Sequence, residues 1–160
     1  MITQKLLKEL FEYKDGDLYW LVDMIPNKTK GNKAGRLHKN GYFRTSIAKK
    51  LYTNHRLIFL YHYGYLPKFV DHIDGNKLNN KIENLREATI SQNAQNSKKP
   101  NNNKSGVKGV DWSKIHKKWR VQINVDGKQK YFGTYFDLNV AKFVADTMRY
   151  KYHGQFARNN

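Results

Sequence analysis

Four side chains in the middle of the sequence are of the types needed to hydrolyse a phosphodiester bond with a metal ion. Asp71 and His72 are adjacent, and Asn84 and Asn93 follow within the next 21 residues. A histidine has an ordinary pKa of about 6.5, so it can take a proton from water near neutral pH. Carboxylate and amide oxygens suit magnesium, which retains several of its waters and takes few protein ligands. The set therefore predicts a metal-assisted phosphodiesterase site.

A strand, a loop, a second strand and a helix are predicted to position these side chains. The strand Phe69–His72 runs into an Asp-Gly turn, residues 82–86 form the return strand, and residues 89–96 form a polar helix capped by Thr89 or Ser91. Neighbouring residues of a strand point to opposite sides. The histidine and its adjacent carboxylate are therefore expected to face in different directions.

Simpler interpretations of the same residues remain open at this point. An Asp-His pair is often only a surface pair, and Asn84 is expected to stabilise the hairpin whatever else it does. Asp74 begins an Asp-Gly turn, so it is either a turn former or a further metal ligand. Asn96 is the alternative to Asn93 as an amide ligand.

The rest of the first hundred residues predicts a small mixed module. Residues 3–11 have helical spacing of leucine and phenylalanine, with Thr3 as a cap, and Asp15-Gly16 is typical of a hairpin. An apolar helix is predicted over residues 54–64. His55 and Arg56 at its start are candidates for phosphate contacts, with a structural role as the alternative for each.

The last third of the chain predicts a three-stranded antiparallel sheet packed on one helix. Strands are expected over 107–112, 118–125 and 128–136, with an Asp-Gly turn between the last two, followed by a helix from Asp137 to about residue 152. Alternation places the apolar residues of the middle strand on one face. The opposite, polar face is a predicted DNA-binding surface and carries Lys108, Arg120, Gln122, Asn124, Gln129 and Tyr131.

Composition divides the chain and indicates its partner. Residues 97–105 are rich in Asn, Ser and Lys and are predicted to be a linker between two modules of an α+β protein. The net charge is +17, split as +9 over residues 1–100 and +8 over residues 101–160. Such an excess is typical of proteins that bind a polyanion. Both modules are expected to meet it.

Other classes are excluded by what the sequence lacks. There is no cysteine, which rules out disulfides, cysteine nucleophiles and Cys-ligated zinc. No apolar run approaches the length of a membrane helix, and the first residues do not resemble a secretion signal. We therefore expect a cytoplasmic protein, in the host cytoplasm if a phage encodes it, and no zinc or membrane partner.

The segment VDHIDGNKLNNKIENLREATISQNAQN, residues 70–96, closely resembles the HNH endonuclease family in its phage and intron-encoded homing branch. The resemblance implies that His72 is the general base. It implies that Asn84 orients the loop and bonds to the backbone of that histidine. Asp71 and Asn93 correspond to ligands of one divalent metal ion. The likeness covers about residues 5–96, with the strand-strand-helix core at about 69–96.

One position departs from the pattern of many relatives. Asn93 stands where they have a histidine, and the substitution retains an oxygen ligand. The metal implied by the resemblance is magnesium, with manganese as the alternative.

Residues 106–160 resemble the Apetala/ethylene-response-factor DNA-binding domain. That family lays a three-stranded sheet in the DNA major groove, and homing endonucleases often carry such a domain beside the HNH module. The resemblance is carried by Lys108-Gly109-Val110, Lys118-Trp119, the segment YFGTYF at 131–136, the helix 141–150, His153-Gly154, Ala157 and Asn159. Several arginines of the family are replaced here, so its base preference is not expected to transfer.

The sequence as a whole predicts a metal-dependent HNH endonuclease with an HNH domain over 1–96, a linker over 97–105 and a DNA-binding domain over 106–160. It is expected to act on double-stranded DNA as a site-preferring, homing-type nicking enzyme. A monomer is expected, with a dimer as the alternative. The competing hypothesis is a DNA-binding regulator that has an HNH domain without using it.

Overall fold

A computed structural model of the chain describes residues 2–23 and 29–159, and it divides into two compact units. The first unit is Met1–Ala88 and the second is Thr89–Asn160. The termini of the predicted domains, residues 1 and 160, lie outside the described residues. The division falls before the polar helix, whereas the predicted linker, residues 97–105, follows that helix. The assignment of residues 1–96 to one functional domain stays a prediction.

The first unit combines short antiparallel strands with two helices. β1 pairs with β2, β4 lies between β3 and β5, and β6 pairs with β7. Its elements are α1 Gln4–Leu10, β1 Phe11–Lys14, β2 Asp17–Trp20, β3 Arg36–Leu37, β4 Phe43–Ile47, β5 Lys50–Thr53, α2 Asn54–Tyr63, β6 Phe69–His72, a 3₁₀ turn Ile82–Asn84 and β7 Leu85–Ala88.

Local signals in the sequence account for several of these boundaries. Thr3 caps α1, since its hydroxyl oxygen accepts a hydrogen bond from the Leu6 N–H at 3.2 Å. Gly64 ends α2 in the left-handed conformation at φ 76°, which glycine adopts without steric cost. The buried core of this unit includes Leu7, Phe11 and Ile58. Val70 of β6 and Leu85 of β7 belong to the same cluster, so this core packs against the β6–β7 hairpin.

The predicted return strand began three residues too early. Ile82–Asn84 forms a 3₁₀ turn, and the strand starts at Leu85. The backbone N–H of Leu85 bonds to the carbonyl oxygen of Ile82, which closes this turn. Side-chain bonds of Asn84 also fasten it to the preceding loop. The pattern of apolar residues carries no information on those side-chain bonds.

The second unit begins with a short helix and continues as a three-stranded antiparallel sheet in the order β10-β9-β8. Thr89 caps the first helix through a capping box with Gln92. Helix α4 contacts all three strands, and its Ala141 and Ala145 are fully buried against Val121. The elements are α3 Ile90–Gln95, β8 Val110–Ser113, β9 Lys118–Val125, β10 Lys128–Tyr135, α4 Leu138–His153 and a 3₁₀ turn Gly154–Phe156.

Two predicted strands differ at their ends. β8 starts at Val110 rather than Val107, because the Val110 N–H bonds to the Val107 carbonyl oxygen in a turn and Gly109 is left-handed at φ 75°. β10 ends at Tyr135 after a register shift between Tyr131 and Thr134. The expected mixture of helices and strands is confirmed. Within residues 2–23 and 29–159, no helix is long and apolar enough to cross a bilayer.

Candidate active site

Strand β6 places Asp71 and His72 at its end, and both are buried, at 6% and 4% exposure. Asp71 lies opposite Arg86 of β7 in the antiparallel register. The Nε and Nη2 atoms of Arg86 both donate to Asp71 Oδ2, at 3.0 and 2.9 Å. A buried carboxylate is stable only when it is paired. The arginine therefore fixes the orientation of the carboxylate that was predicted to be a metal ligand.

The imidazole of His72 is held by Asn80, which is 2% exposed. His72 Nε2 and Asn80 Oδ1 are 3.0 Å apart. An amide oxygen can only accept a hydrogen bond, so this contact selects the imidazole tautomer that is protonated at Nε2. In that tautomer the lone pair that can take a proton is on Nδ1.

Aromatic rings form one wall of the same site. The ring of His55 lies 4.9 Å from the ring of His72, and the ring of Tyr42 lies 6.1 Å from it, measured between centroids. The ammonium group of Lys77 lies 4.7 Å from the centroid of Tyr42. Burial lowers the pKa of His72 and outweighs the opposite effects of Asn80 and the neighbouring carboxylates. Its imidazole is therefore neutral, as a general base must be.

Asn84 fastens the loop that follows His72. Its Oδ1 accepts from the backbone N–H of Asp74 at 3.0 Å. Its Nδ2 donates to Asp74 Oδ1 and to the Asn79 carbonyl oxygen. The sequence predicted that Asn84 bonds to the backbone of His72. The side chain of Asn84 instead bonds to Asp74 and to the backbone of Asn79, which follow His72 in the chain. Asn84 therefore fixes the conformation of this loop, and its role in catalysis stays a prediction.

The side chain of Asp74 makes hydrogen bonds that stabilise this loop. Its carboxylate accepts bonds from Asn76, Asn79 and Asn84. Burial alone raises the pKa of Asp74, but these hydrogen bonds outweigh it and lower the pKa. The geometry favours the turn-forming role over the role of metal ligand.

The predicted amide ligand lies in the second unit. Asn93 is exposed in the middle of α3, whereas the alternative, Asn96, is 5% exposed at the helix C-terminus. An exposed amide can reach a hydrated cation without losing internal contacts. Burial therefore favours Asn93 over Asn96, and the ligand roles of Asp71 and Asn93 stay predictions.

The donor chemistry fits a hard divalent cation. Among the described residues, no group of three or more His, Cys, Asp or Glu side chains is placed to hold a metal ion. Magnesium does not need such a cage, because it is bound by one or two protein oxygens together with waters and substrate phosphate. The buried, arginine-oriented carboxylate of Asp71 offers an oxygen of that type.

Comparison with known proteins identifies the family. A model of the HNH endonuclease family matches residues 52–95, which include β6, β7 and α3. Protein 3.8 of Escherichia phage T7 is 44% identical over 97 residues, which is 59% of this chain and 79% of the phage protein. This chain belongs to the HNH endonuclease family. It is an enzyme of the nuclease class.

Two further likenesses accompany that match. The uncharacterized HNH endonuclease L560 of Acanthamoeba polyphaga mimivirus is 41% identical over 76 residues, 46% of this chain and 40% of that protein. A solved structure described as DNA binding and cleavage by the HNH homing endonuclease I-HmuI has a TM-score of 0.45 and 24% identity, covering 82% of this chain and 78% of that one.

Two residues of this HNH endonuclease were missed by sequence reasoning. Asn80, the hydrogen-bond partner of His72, lies in the irregular loop, where no periodicity indicates a side-chain direction. Arg86 lies in the return strand, and its contact with Asp71 follows from the strand register. The opposite charges of Asp71 and Arg86 could have indicated their contact. The pairing was not recognised because the start of the return strand was predicted three residues too early.

The two predicted phosphate contacts of α2 have structural roles here. His55 is 7% exposed and packs against His72 and Tyr42. Arg56 is half-buried and donates from Nη1 to the Lys68 carbonyl oxygen at 2.9 Å. Contacts of either residue with DNA stay predictions.

The sheet face of the second unit is more uneven than predicted. Gln122 lies opposite Tyr131, and Asn124 opposite Gln129, so these four share one face. Arg120 lies opposite Asp111 and is ion-paired with it at 2.8 Å. Lys108 lies before β8, and its ammonium is bonded to backbone carbonyls. The face is therefore mainly amide and phenol, with less positive charge than expected.

The buried His55 predicts an acid-sensitive fold. Burial lowers the pKa of His55 to about 3, and the neighbouring His72 imidazole and the guanidinium of Arg56 act in the same direction. Its unfolded pKa is about 6.5, so above that pH neither state is protonated. Below it the unfolded chain gains a proton that the folded protein does not, and stability is lost as the pH falls from 6.5 toward 3.

A glutamine at this position tests that expectation. His55→Gln cannot titrate, so its unfolding free energy should fall less between pH 7 and pH 4 than that of the wild type. Each unit of pKa difference is worth about 1.4 kcal/mol. Urea unfolding at both pH values measures the difference, and parallel losses in the two proteins would contradict the assignment.

Proposed function

We propose that this chain is a metal-dependent, homing-type DNA endonuclease that nicks one strand of double-stranded DNA at a preferred site. The observation that carries the proposal is the neutral, buried His72 with its Nε2 held by Asn80. Its Nδ1 lone pair takes a proton from the attacking water, while the loop bonds of Asn84 hold the backbone after His72 in place.

The proposed metal ligands are Asp71 and Asn93, and the proposed ion is magnesium, with manganese as the alternative. When bound, such an ion offsets negative charge on the scissile phosphate and on the departing oxygen. Arg86 fixes the direction of the Asp71 carboxylate through two hydrogen bonds to Oδ2. Lys77, beside Tyr42, adds positive charge close to the histidine.

Charge supports double-stranded DNA as the substrate. The net charge of +17 is divided as +9 over residues 1–100 and +8 over residues 101–160, so it is not concentrated in a tail. Cations that neutralise phosphates release counterions, so the affinity should fall steeply as the salt concentration rises. Phosphate contacts of this kind position the DNA but do not specify its sequence.

A nicking assay tests the enzyme proposal against the alternative of a DNA-binding regulator with an unused HNH domain. Supercoiled plasmid carrying the host locus is incubated with the protein and magnesium, with and without EDTA. The expected result is conversion to open circles that EDTA prevents. Binding without conversion under any of magnesium, manganese or calcium would favour the regulator. Linear product at low enzyme concentration would show that the enzyme cuts both strands rather than one.

The polar sheet face is the proposed sequence-reading surface. Gln122, Asn124 and Tyr131 share it, and Tyr131 is 59% exposed. Replacing all three with alanine is expected to relax site preference and to retain non-specific nicking, since one good base contact contributes about 1–3 kcal/mol of discrimination.

Sequencing of nick sites on a long DNA measures that preference. The matched control is the triple variant Lys142→Ala, Thr147→Ala and Tyr150→Ala on exposed positions of α4, which should nick at the wild-type sites. An unchanged nick-site pattern in the sheet variant would remove this face from recognition.

A further inference from the structure

The ammonium group of Lys108 is bound at the C-terminal end of α3. Its Nζ donates to the carbonyl oxygen of Gln95 at 2.7 Å and to that of Ser97 at 2.6 Å. The last carbonyl groups of a helix lack partners within the helix and carry the negative end of its dipole. Lys108 therefore provides a positive, hydrogen-bonding cap for the helix that carries Asn93.

The backbone of Lys108 is fixed in the core of the second unit. Its carbonyl oxygen accepts a hydrogen bond from the guanidinium of Arg149, which is 1% exposed. The same guanidinium is paired with Asp146 and donates from Nε to Asn159 Oδ1 at 2.8 Å. This network around the buried Arg149 joins α4, the C-terminal segment and the turn before β8. Because the backbone of Lys108 is fixed in this way, its side chain can hold the end of α3 in place.

Helix α3 depends on such a contact. It has six residues, and a helix this short is not stable by itself in water. A groove of about 710 Å³ lies within the second unit, with Ala94 of α3 and Gln122 of β9 among its lining residues. The helix also contacts the 3₁₀ turn Gly154–Phe156. Because a groove separates α3 from part of the sheet, the two bonds of Lys108 contribute strongly to its position.

The surroundings of the ammonium do not favour a phosphate contact. Lys108 is half-buried, and burial together with Arg149 and Arg158 lowers its pKa to about 8. A DNA phosphate would have to compete with two short bonds to carbonyl oxygens. The observations therefore favour an internal role for a lysine that the sequence placed among the DNA contacts.

We propose that Lys108 is a positioning residue of the nuclease, which fixes α3, and with it Asn93, to the core of the second unit. This inference rests on the proposed function in one respect, the role of Asn93 as a metal ligand. Its consequence is that loss of Lys108 impairs metal use and turnover without weakening DNA binding.

Amide hydrogen exchange of the metal-free, DNA-free protein provides the first test. Lys108→Met retains the length of the side chain and removes its charge and donors. Exchange of the amides of residues 92–97 is expected to become at least about tenfold faster, in line with loss of a local contact. Lys142→Met, an exposed lysine of α4, is the matched control and should leave exchange in this segment unchanged.

Cleavage and binding provide the second test. For Lys108→Met, the magnesium concentration giving half-maximal nicking should rise about 10-fold to 100-fold, as is typical when a partner that orients a ligand is lost. The Kd for DNA in EDTA and its salt dependence should equal those of the control. Lys108→Gln, whose shorter side chain cannot span both carbonyls, should behave like Lys108→Met and replaces it if that variant melts early.

The outcomes separate the hypotheses. A higher Kd with a salt slope reduced by about one would identify a phosphate contact and overturn the proposal. Unchanged exchange in residues 92–97 would overturn it as well. If the wild type does not nick with magnesium, or if Asn93→Ala has a normal magnesium requirement, the proposed function fails instead, and amide exchange still decides whether Lys108 holds α3.

Discussion

Replacing His72 with alanine is expected to abolish nicking while DNA affinity stays unchanged. The substitution removes the group that takes a proton from water, and a positioned general base contributes about 10²–10⁴-fold to the rate. His72 is 4% exposed and its imidazole is already bonded to Asn80, so we expect it to contribute little to the surface that binds DNA. Single-turnover nicking of supercoiled plasmid measures the rate, and gel shifts in EDTA measure the affinity.

The matched control for this substitution is His116→Ala. His116 is exposed in the turn between β8 and β9, where its backbone N–H donates a hydrogen bond to Ser113 Oγ. Its replacement should retain the wild-type rate. Nicking by His72→Ala within a factor of two of the wild type would exclude His72 as the base. Loss of both binding and nicking would indicate a folding defect, which a thermal melt reveals.

Replacing Asn80 with leucine is expected to lower the nicking rate about tenfold or more, with little change in the Kd for DNA. Leucine has a similar volume but cannot accept the proton of His72 Nε2. The base then loses its fixed tautomer and direction, and partners that orient catalytic ligands typically contribute about 10–100-fold. The unsatisfied N–H also costs about 1–3 kcal/mol of stability, which urea unfolding measures.

Asn80→Asp is the informative companion of that variant. An aspartate retains the accepting oxygen at the same position, so it should recover most of the rate that leucine loses. Nitrogen NMR shifts of the His72 imidazole provide a readout independent of activity, because they report which ring nitrogen carries the proton. The leucine variant should lose the preference for Nε2. Equal rates in Asn80→Leu and wild type would show that the contact does not serve catalysis.

Much of the fold was predictable because local rules specified it. The strictly alternating residues of β9 and the Asp-Gly turns gave strand faces and hairpins, and the caps at Thr3, Thr89 and Asp137 mark helix starts that the structure retains. The predicted ends of strands were wrong where side-chain hydrogen bonds override the conformation that the apolar pattern favours. Asn84 draws three residues of the expected return strand into a 3₁₀ turn through bonds that apolar periodicity does not encode.

The site was predictable in its chemistry and less so in its contacts. Residue types and spacing named Asp71, His72 and Asn84, and the structure brings the first two to the end of one buried strand. The groups that hold them, Asn80 and Arg86, depend on a loop conformation and on a strand register. A single residue shift of that register would move Arg86 to the other face of the hairpin.

The sequence by itself determined the family and the nuclease class, and it predicted a polyanionic partner, because motif residues and net charge are properties of the chain in any conformation. Only the tertiary structure decided which of the cations are bonded within the protein. Arg86 forms an ion pair with Asp71 and Arg120 with Asp111, and the ammonium of Lys108 donates hydrogen bonds at the end of α3. A charge count treats all lysines and arginines alike. Their availability depends on which oxygens folding brings within hydrogen-bonding distance of them.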